Sequence, residues 1–151
     1  LSYPDIKLLP MLSNIFNVSI DDLFDYGMKP EGKQMNKVKR HFEAEAQAFD
    51  DIIIKLIPNY AQMIDAMVSA LPFERTQTIR VINLGCGTGT ISEVVKQKFP
   101  NAHITCLDFS ANMLEMAKVK LNAYSNIYYI KTDFYDYTFE NNYDLVISSL
   151  T

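Results

Sequence analysis

The 151-residue sequence is poor in the residues that several large protein classes are built from. It has only two cysteines, Cys86 and Cys106, too few for a disulfide framework and without metal-ligand spacing around either. A reducing cytoplasm is the compartment this cysteine usage predicts. The only histidines are His41 and His103, and no Ser/His/Asp or paired-carboxylate constellation stands out. No apolar run approaches the roughly 20 residues that a bilayer requires, so no membrane partner is expected. The opening LSYPDIK lacks the basic flank and apolar stretch of a secretory signal. Basic residues do not predominate either: the net charge is −4, which gives no bulk attraction for nucleic acid or anionic lipid.

What is present is the material of a packed core. Hydrophobic residues make up 48% and charged residues 21%, a globular composition in a chain of about one domain. Three blocks follow from pattern. Residues 1–26 carry a helical stripe, Leu8, Leu12, Ile15 and Phe16, then NVSIDDLF, where Ser19 and Asp22 suit the start of a short helix. Residues 27–36, GMKPEGKQMN, read as a linker. From Met35 a helical pattern runs through Val38, Phe42, Phe49 and Leu56 to Pro58; a second, from Tyr60 through Met67 and Leu71, ends at Pro72.

The third block, within 37–151, alternates strands with helices. Apolar runs Ile79–Leu84, Ala102–Leu107, Ile127–Ile130 and Leu145–Leu150 predict four strands. Between them, Ile91–Phe99 and Met113–Leu121 have helical spacing; Thr90 with Glu93 suggests a capping box, and Lys118 and Lys120 fall in a last turn where the dipole favours them. This alternation predicts a doubly wound, parallel α/β sheet.

The sharpest motif is VINLGCGTGT, Val81 to Thr90, where a strand runs into Gly85, Gly87 and Gly89 and a helix follows. Glycines at such a turn let a ligand approach bare backbone. A dinucleotide fingerprint places its third glycine at the sixth loop position, which here is Thr90; the GxGxG form suits a ligand without pyrophosphate, such as S-adenosylmethionine. Asp108 ends the second strand, 19 residues after Gly89, where a carboxylate accepts from both hydroxyls of a ribose; this feature fits NAD equally well. After the third strand, Asp133 is placed to accept from an adenine amine and Phe134 to pack on the ring, or the acids of this loop are simply solvated.

In this order the motifs resemble the class I S-adenosylmethionine-dependent methyltransferases, over roughly Met35 to Thr151. The resemblance is carried by VINLGCGTGT, LDFSANMLEMAK and IKTDFYDYTFENNYDLVISSL. It implies a Rossmann-like sheet with strand order 3-2-1-4 behind N-terminal helices. It also implies that Gly85, Cys86 and Gly87 cradle the methionine part and ribose, that Asp108 binds the ribose hydroxyls, and that Phe109 and Met113 flank the adenine. Asp133, with Phe134 nearby, reads the adenine amine, and Ser148 and Ser149 lie near the transferred methyl. The family usually has an acid where this chain has Asn83, which keeps hydrogen bonding but loses charge. Val38–Asp51 looks like the helix that folds over the cofactor, with Phe42 and Phe49 either facing the ligand or packing the helix down, and Arg40 near the cofactor carboxylate.

Residues 1–26 resemble the C-terminal end of a Cro/repressor-type helix-turn-helix domain, the alternative being a helical extension of the enzyme. DNA would then be contacted only through a recognition helix upstream of this portion. The first residue is Leu1 rather than Met, and Val146–Thr151 is an apolar strand that stops without an ending, so a fragment is expected: strands 1 to 4 only, retaining most of a cofactor site but without turnover. The expected function is direct, in-line methyl transfer to a small-molecule acceptor. Two rivals are a DNA-binding regulator with a methyltransferase-like sensor domain and an NAD(P)-dependent oxidoreductase.

Overall fold

The computed structural model describes residues 48–134, 136–139 and 142–149. All lie in the second of the two units into which the chain divides, residues 43–151. The helix-turn-helix resemblance of residues 1–26, the linker at 27–36, and Arg40, His41 and Phe42 fall outside the described residues.

Two helices precede the sheet. Helix α1, Phe49–Leu56, buries Ile53 and Leu56, and α2, Tyr60–Ser69, buries Ile64 and Val68. Pro58 lies between them, where a ring without an N–H interrupts helical hydrogen bonding. Lys98 closes α2 from another element: its ammonium donates to the carbonyls of Val68 and Ser69 at 3.0 and 2.8 Å, adding to the backbone bonds at the helix end.

The sheet consists of β1 (Arg80–Leu84), β2 (His103–Asp108), β3 (Ile127–Lys131) and β4 (Leu145–Ser148), all parallel, in the order β3-β2-β1-β4. Helix α3, Thr90–Lys98, connects β1 to β2, and α4, Ala111–Lys120, connects β2 to β3. The strand order departs from chain order between β1 and β4, and that reversal makes a crevice at the carboxyl ends of the strands. Register brings Leu84 beside Leu107 and beside Ser148, and Asp108 beside Lys131. The strand ends on which the sequence places its candidate residues therefore lie side by side.

One face of the sheet carries the core. Val81, Ile104, Cys106 and Ile147 pack with Ile64, Val68, Val95, Phe99, Leu114 and Leu121 from the helices and their ends. Phe99 is fully buried and meets Phe73 edge-on, with ring centroids 6.1 Å apart. Strand β4 is fixed to β1 by two reciprocal bonds. Arg80 N–H donates to Asp144 Oδ2 at 2.7 Å, and Asp144 N–H donates to the Arg80 carbonyl at 2.8 Å.

The expected sheet and its order are observed, and one local expectation is corrected. Thr90 is not a capping residue. Gly89 occupies the N-cap of α3 with φ 86°, and no side chain caps that helix. The left-handed backbone there is open to glycine and strained for Thr, so the turn shifts the cap one residue earlier and frees Thr90 for other contacts.

Candidate functional site

The glycine loop leaves β1 through three left-handed turns: Gly85, Gly87 and Gly89 have φ of 61°, 54° and 86°. Two hydrogen bonds shape it. Cys86 N–H donates to the Leu107 carbonyl at 3.0 Å, extending the β1–β2 ladder beyond the strand, and Gly89 N–H donates back to the Cys86 carbonyl at 3.0 Å. A methyl group placed on Gly87 would meet only Phe49 Cε1, at 3.9 Å. On Gly89 it would meet Leu121 Cδ1 at 3.0 Å and Ala117 Cβ at 3.2 Å. The two glycines thus serve different ends: Gly87 keeps the loop surface low under Phe49, and Gly89 lets the loop sit tightly against α4.

Asp108 faces this loop from the end of β2. Its Oδ2 accepts the Gly87 N–H at 2.8 Å and its Oδ1 accepts the Ser110 N–H at 2.9 Å. The side chain is only 6% exposed. Burial pushes the Asp108 carboxyl above the usual carboxylate range, against backbone N–H bonds from Ser110, Gly87 and Phe109 that pull it down. The two oxygens together offer about four acceptor directions, so the three backbone bonds leave about one of them open. Ser110 then caps α4, its Oγ accepting the Met113 N–H at 3.3 Å.

The remaining predicted residues take distinct places. Phe109 is half-buried directly after Asp108, and Met113 is buried in the first turn of α4. Asp133 and Phe134 are half-buried just past β3, whose ladder continues through Thr132 N–H to the Asp108 carbonyl at 3.0 Å. Ser148 is exposed at the end of β4, in register with Leu84. Asn83 is buried beneath the loop, its Nδ2 donating to Ser92 Oγ at 3.0 Å, and Ser92 Oγ lies 3.3 Å from Cys106 Sγ. Asn83 Oδ1 has no hydrogen-bond partner among the described residues. Cys86 is buried, and its hydrogen bond with Cys106 together with burial pushes its thiol up, which favours the neutral form at this small loop position.

Sequence pattern does not disclose a polar cluster beside the loop. Asp50 on α1 accepts from the hydroxyls of Thr88 and Thr90 and from Lys120 at the end of α4. Lys120 also donates to Thr88 Oγ1 at 3.1 Å and to Thr90 Oγ1 at 2.7 Å. These contacts join positions separated by 70 residues and leave no local signature. The Ser110 cap, by contrast, has a local signal, a serine directly before a helical pattern, although the sequence expectations name no cap there. Among the described residues, no group of three His, Cys, Asp or Glu is placed to hold a metal ion, and no helix is long and apolar enough to cross a membrane.

Comparison with known proteins gives this geometry a context. Residues 81–151 match the family model described as a methyltransferase domain. A malonyl-[acyl-carrier protein] O-methyltransferase from Ilyobacter polytropus is 33% identical over 118 residues, 76% of this chain and 41% of the relative. One from Bacillus anthracis is 31% identical over 117 residues, with the same coverage of 76% and 41%. The chain thus spans about two fifths of the length of these relatives. Among solved structures, the S-adenosylmethionine-dependent methyltransferase of Thiobacillus denitrificans, in complex with S-adenosyl-L-homocysteine, superposes with a TM-score of 0.51 at 22% identity. That match covers 60% of this chain and 36% of the other, and it shows the fold: a Rossmann-like methyltransferase sheet.

Proposed function

We propose that this chain, whose residues 81–151 match a methyltransferase domain, binds S-adenosylmethionine at the carboxyl ends of β1 and β2 and serves direct methyl transfer to a small-molecule acceptor. The cofactor of this domain is S-adenosylmethionine. The observation that carries the site is the Asp108 carboxylate, bonded to the glycine loop at Gly87 and retaining acceptor capacity beyond its backbone bonds. Three features of the chain fit the group. Gly87 offers a surface that a side chain would fill. Asp108 matches a ribose diol, and Asn83 holds a buried, unpartnered acceptor next to the loop.

On this reading Gly85, Cys86 and Gly87 line the methionine part and ribose. Asp108 accepts the ribose hydroxyls, Phe109 and Met113 flank the adenine, and Asp133 with Phe134 reads its amine edge. Ser148, in register with Leu84, and Ser149 after it lie near the transferred group on this reading. S-Adenosylmethionine supplies a methyl carbon already activated by positive charge on sulfur, so the protein contributes orientation and proximity. Relatives named for O-methylation of malonyl-[acyl-carrier protein] make an oxygen acceptor the class to test first. Because the chain spans about two fifths of those relatives, we propose cofactor binding without turnover for the 151-residue chain.

The test is calorimetric titration of S-adenosylhomocysteine and, separately, NADH into this chain. Saturable binding of the first and none of the second is expected, because Thr90 stands at the sixth loop position where a dinucleotide loop has glycine. A folded chain that binds NADH more tightly would overturn the reading and bring the oxidoreductase forward.

A further inference from the structure

The cluster formed by Asp50, Thr88, Thr90 and Lys120 ties α1 to the glycine loop and to the facing ends of α3 and α4. Thr88 belongs to the glycine loop and is 3% exposed, Thr90 opens α3, Lys120 closes α4 and Asp50 lies in the first turn of α1. Lys120 has three N–H donors and three acceptors among these residues: the Asp50 carboxylate and the two threonine hydroxyls. Asp50 in turn accepts from both hydroxyls and the ammonium. Every strong donor of the group is matched, so the cluster has one preferred geometry.

That geometry sets the place of the residue next to Asp50. Phe49 brings Cε1 to within 3.9 Å of where a methyl on Gly87 would stand, and Gly87 is the residue whose N–H meets Asp108. Phe49 is half-buried and opens α1, directly before Asp50. We infer that Asp50 is a positioning residue: by tying α1 to Thr88 and Lys120 it holds the Phe49 ring over the glycine loop, so that the ring walls the cofactor site at Gly87. The inference rests on the cofactor reading above. Asp50 touches no ligand in this scheme; its effect passes through Phe49. Its side chain is 40% exposed and the pair with Lys120 is partly solvated, which suits an aligning contact better than a core support.

A double-mutant cycle on the 151-residue chain separates this role from plain stabilisation. S-Adenosylhomocysteine affinity and dissociation rate are measured for wild type, Asp50→Asn, Phe49→Ala and the double variant, with circular dichroism and thermal unfolding on each. Asp50→Asn is expected to weaken binding about tenfold, chiefly through faster dissociation. In the Phe49→Ala background the same substitution is expected to have no further effect, and Asp50→Glu is expected to restore part of the affinity. Equal, additive losses in both backgrounds, or Asp50→Asn binding like wild type, would overturn the inference while leaving the cofactor reading intact. Failure of wild type itself to bind would overturn both. If Asp50→Asn does not fold, Lys120→Gln enters the same cycle. A ligand-free readout accompanies it: amide exchange at Gly87 and Thr88 is expected to speed up in Asp50→Asn, and unchanged exchange counts against the tie.

Discussion

Gly87 and Asp108, residues of two neighbouring strand ends, are joined by a 2.8 Å bond from the loop N–H to the carboxylate Oδ2. The contact makes one unit of the glycine loop and the acid that ends the next strand. Either element displaced alone would leave a buried donor or acceptor unmet, at a cost of about 1–3 kcal/mol.

Asp108→Ala is therefore expected to lower S-adenosylhomocysteine affinity by about 1.5–3 kcal/mol, the scale of hydrogen bonds to a charged group. Calorimetry on the folded variant reads it. Affinity within twofold of wild type would remove Asp108 from the site.

The pH dependence follows from the raised Asp108 carboxyl. Burial sets its folded value above the ordinary aspartate value of 3.8. Ribose hydroxyls are accepted by the carboxylate, so affinity is expected to fall as pH drops through that raised value. Binding in that window should release protons, visible as a buffer-dependent enthalpy. For folding alone the signs of two acids differ. Asp108, raised, gives stability that is present below 3.8 and lost as pH rises through its folded value. For Asp50, burial is outweighed by the bonds from Lys120, Thr88 and Thr90, and its carboxyl is held below the ordinary range. Its contribution is complete above 3.8 and lost as pH falls through its folded value. The difference in unfolding temperature between wild type and Asp50→Asn should accordingly shrink on acidification.

Gly89→Ala combines a backbone and a packing fault. The residue has φ 86°, and the new methyl would stand 3.0 Å from Leu121 Cδ1 and 3.2 Å from Ala117 Cβ. Left-handed strain of about 1–2 kcal/mol adds to overpacking of about 1–3 kcal/mol. Denaturant unfolding should show the sum within that combined range. Gly87→Ala, with 3.9 Å of clearance, should cost only the strain.

Among the described residues, Lys96 is a buried cation that the site does not use. It is 2% exposed and donates to the carbonyls of Pro100 and Ala102 at 2.7 and 2.8 Å, tying the end of α3 to the turn before β2. Burial lowers its pKa, but the two carbonyls depend on it. Lys96→Met is expected to lose about 1.5–3 kcal/mol of stability with little change in cofactor affinity per folded molecule. Thermal unfolding and titration together check this.

Much of this was legible in the sequence because the signals are local. Strand periodicity and glycine spacing placed β1, the loop and α3, strand–helix alternation gave parallel pairing, and the order β3-β2-β1-β4 was what the resemblance to class I methyltransferases implied. Thr90 misled because a hydroxyl three residues before Glu93 reads as a cap, whereas the left-handed Gly89 already turns the chain. Asp50 and Lys120 stayed hidden for another reason. Each resembles an ordinary helix-end charge, and only folding makes them neighbours.

The seat of Gly89 against Ala117 and Leu121 has a thermodynamic consequence. Loop and helix are ordered by the same packing that forms the core, so the conformational entropy of shaping the ligand cradle is surrendered during folding. A ligand arriving at such a preorganised surface keeps more of its contact energy as affinity. Its affinity and the chain's melting temperature should then move together across core variants far from any ligand atom.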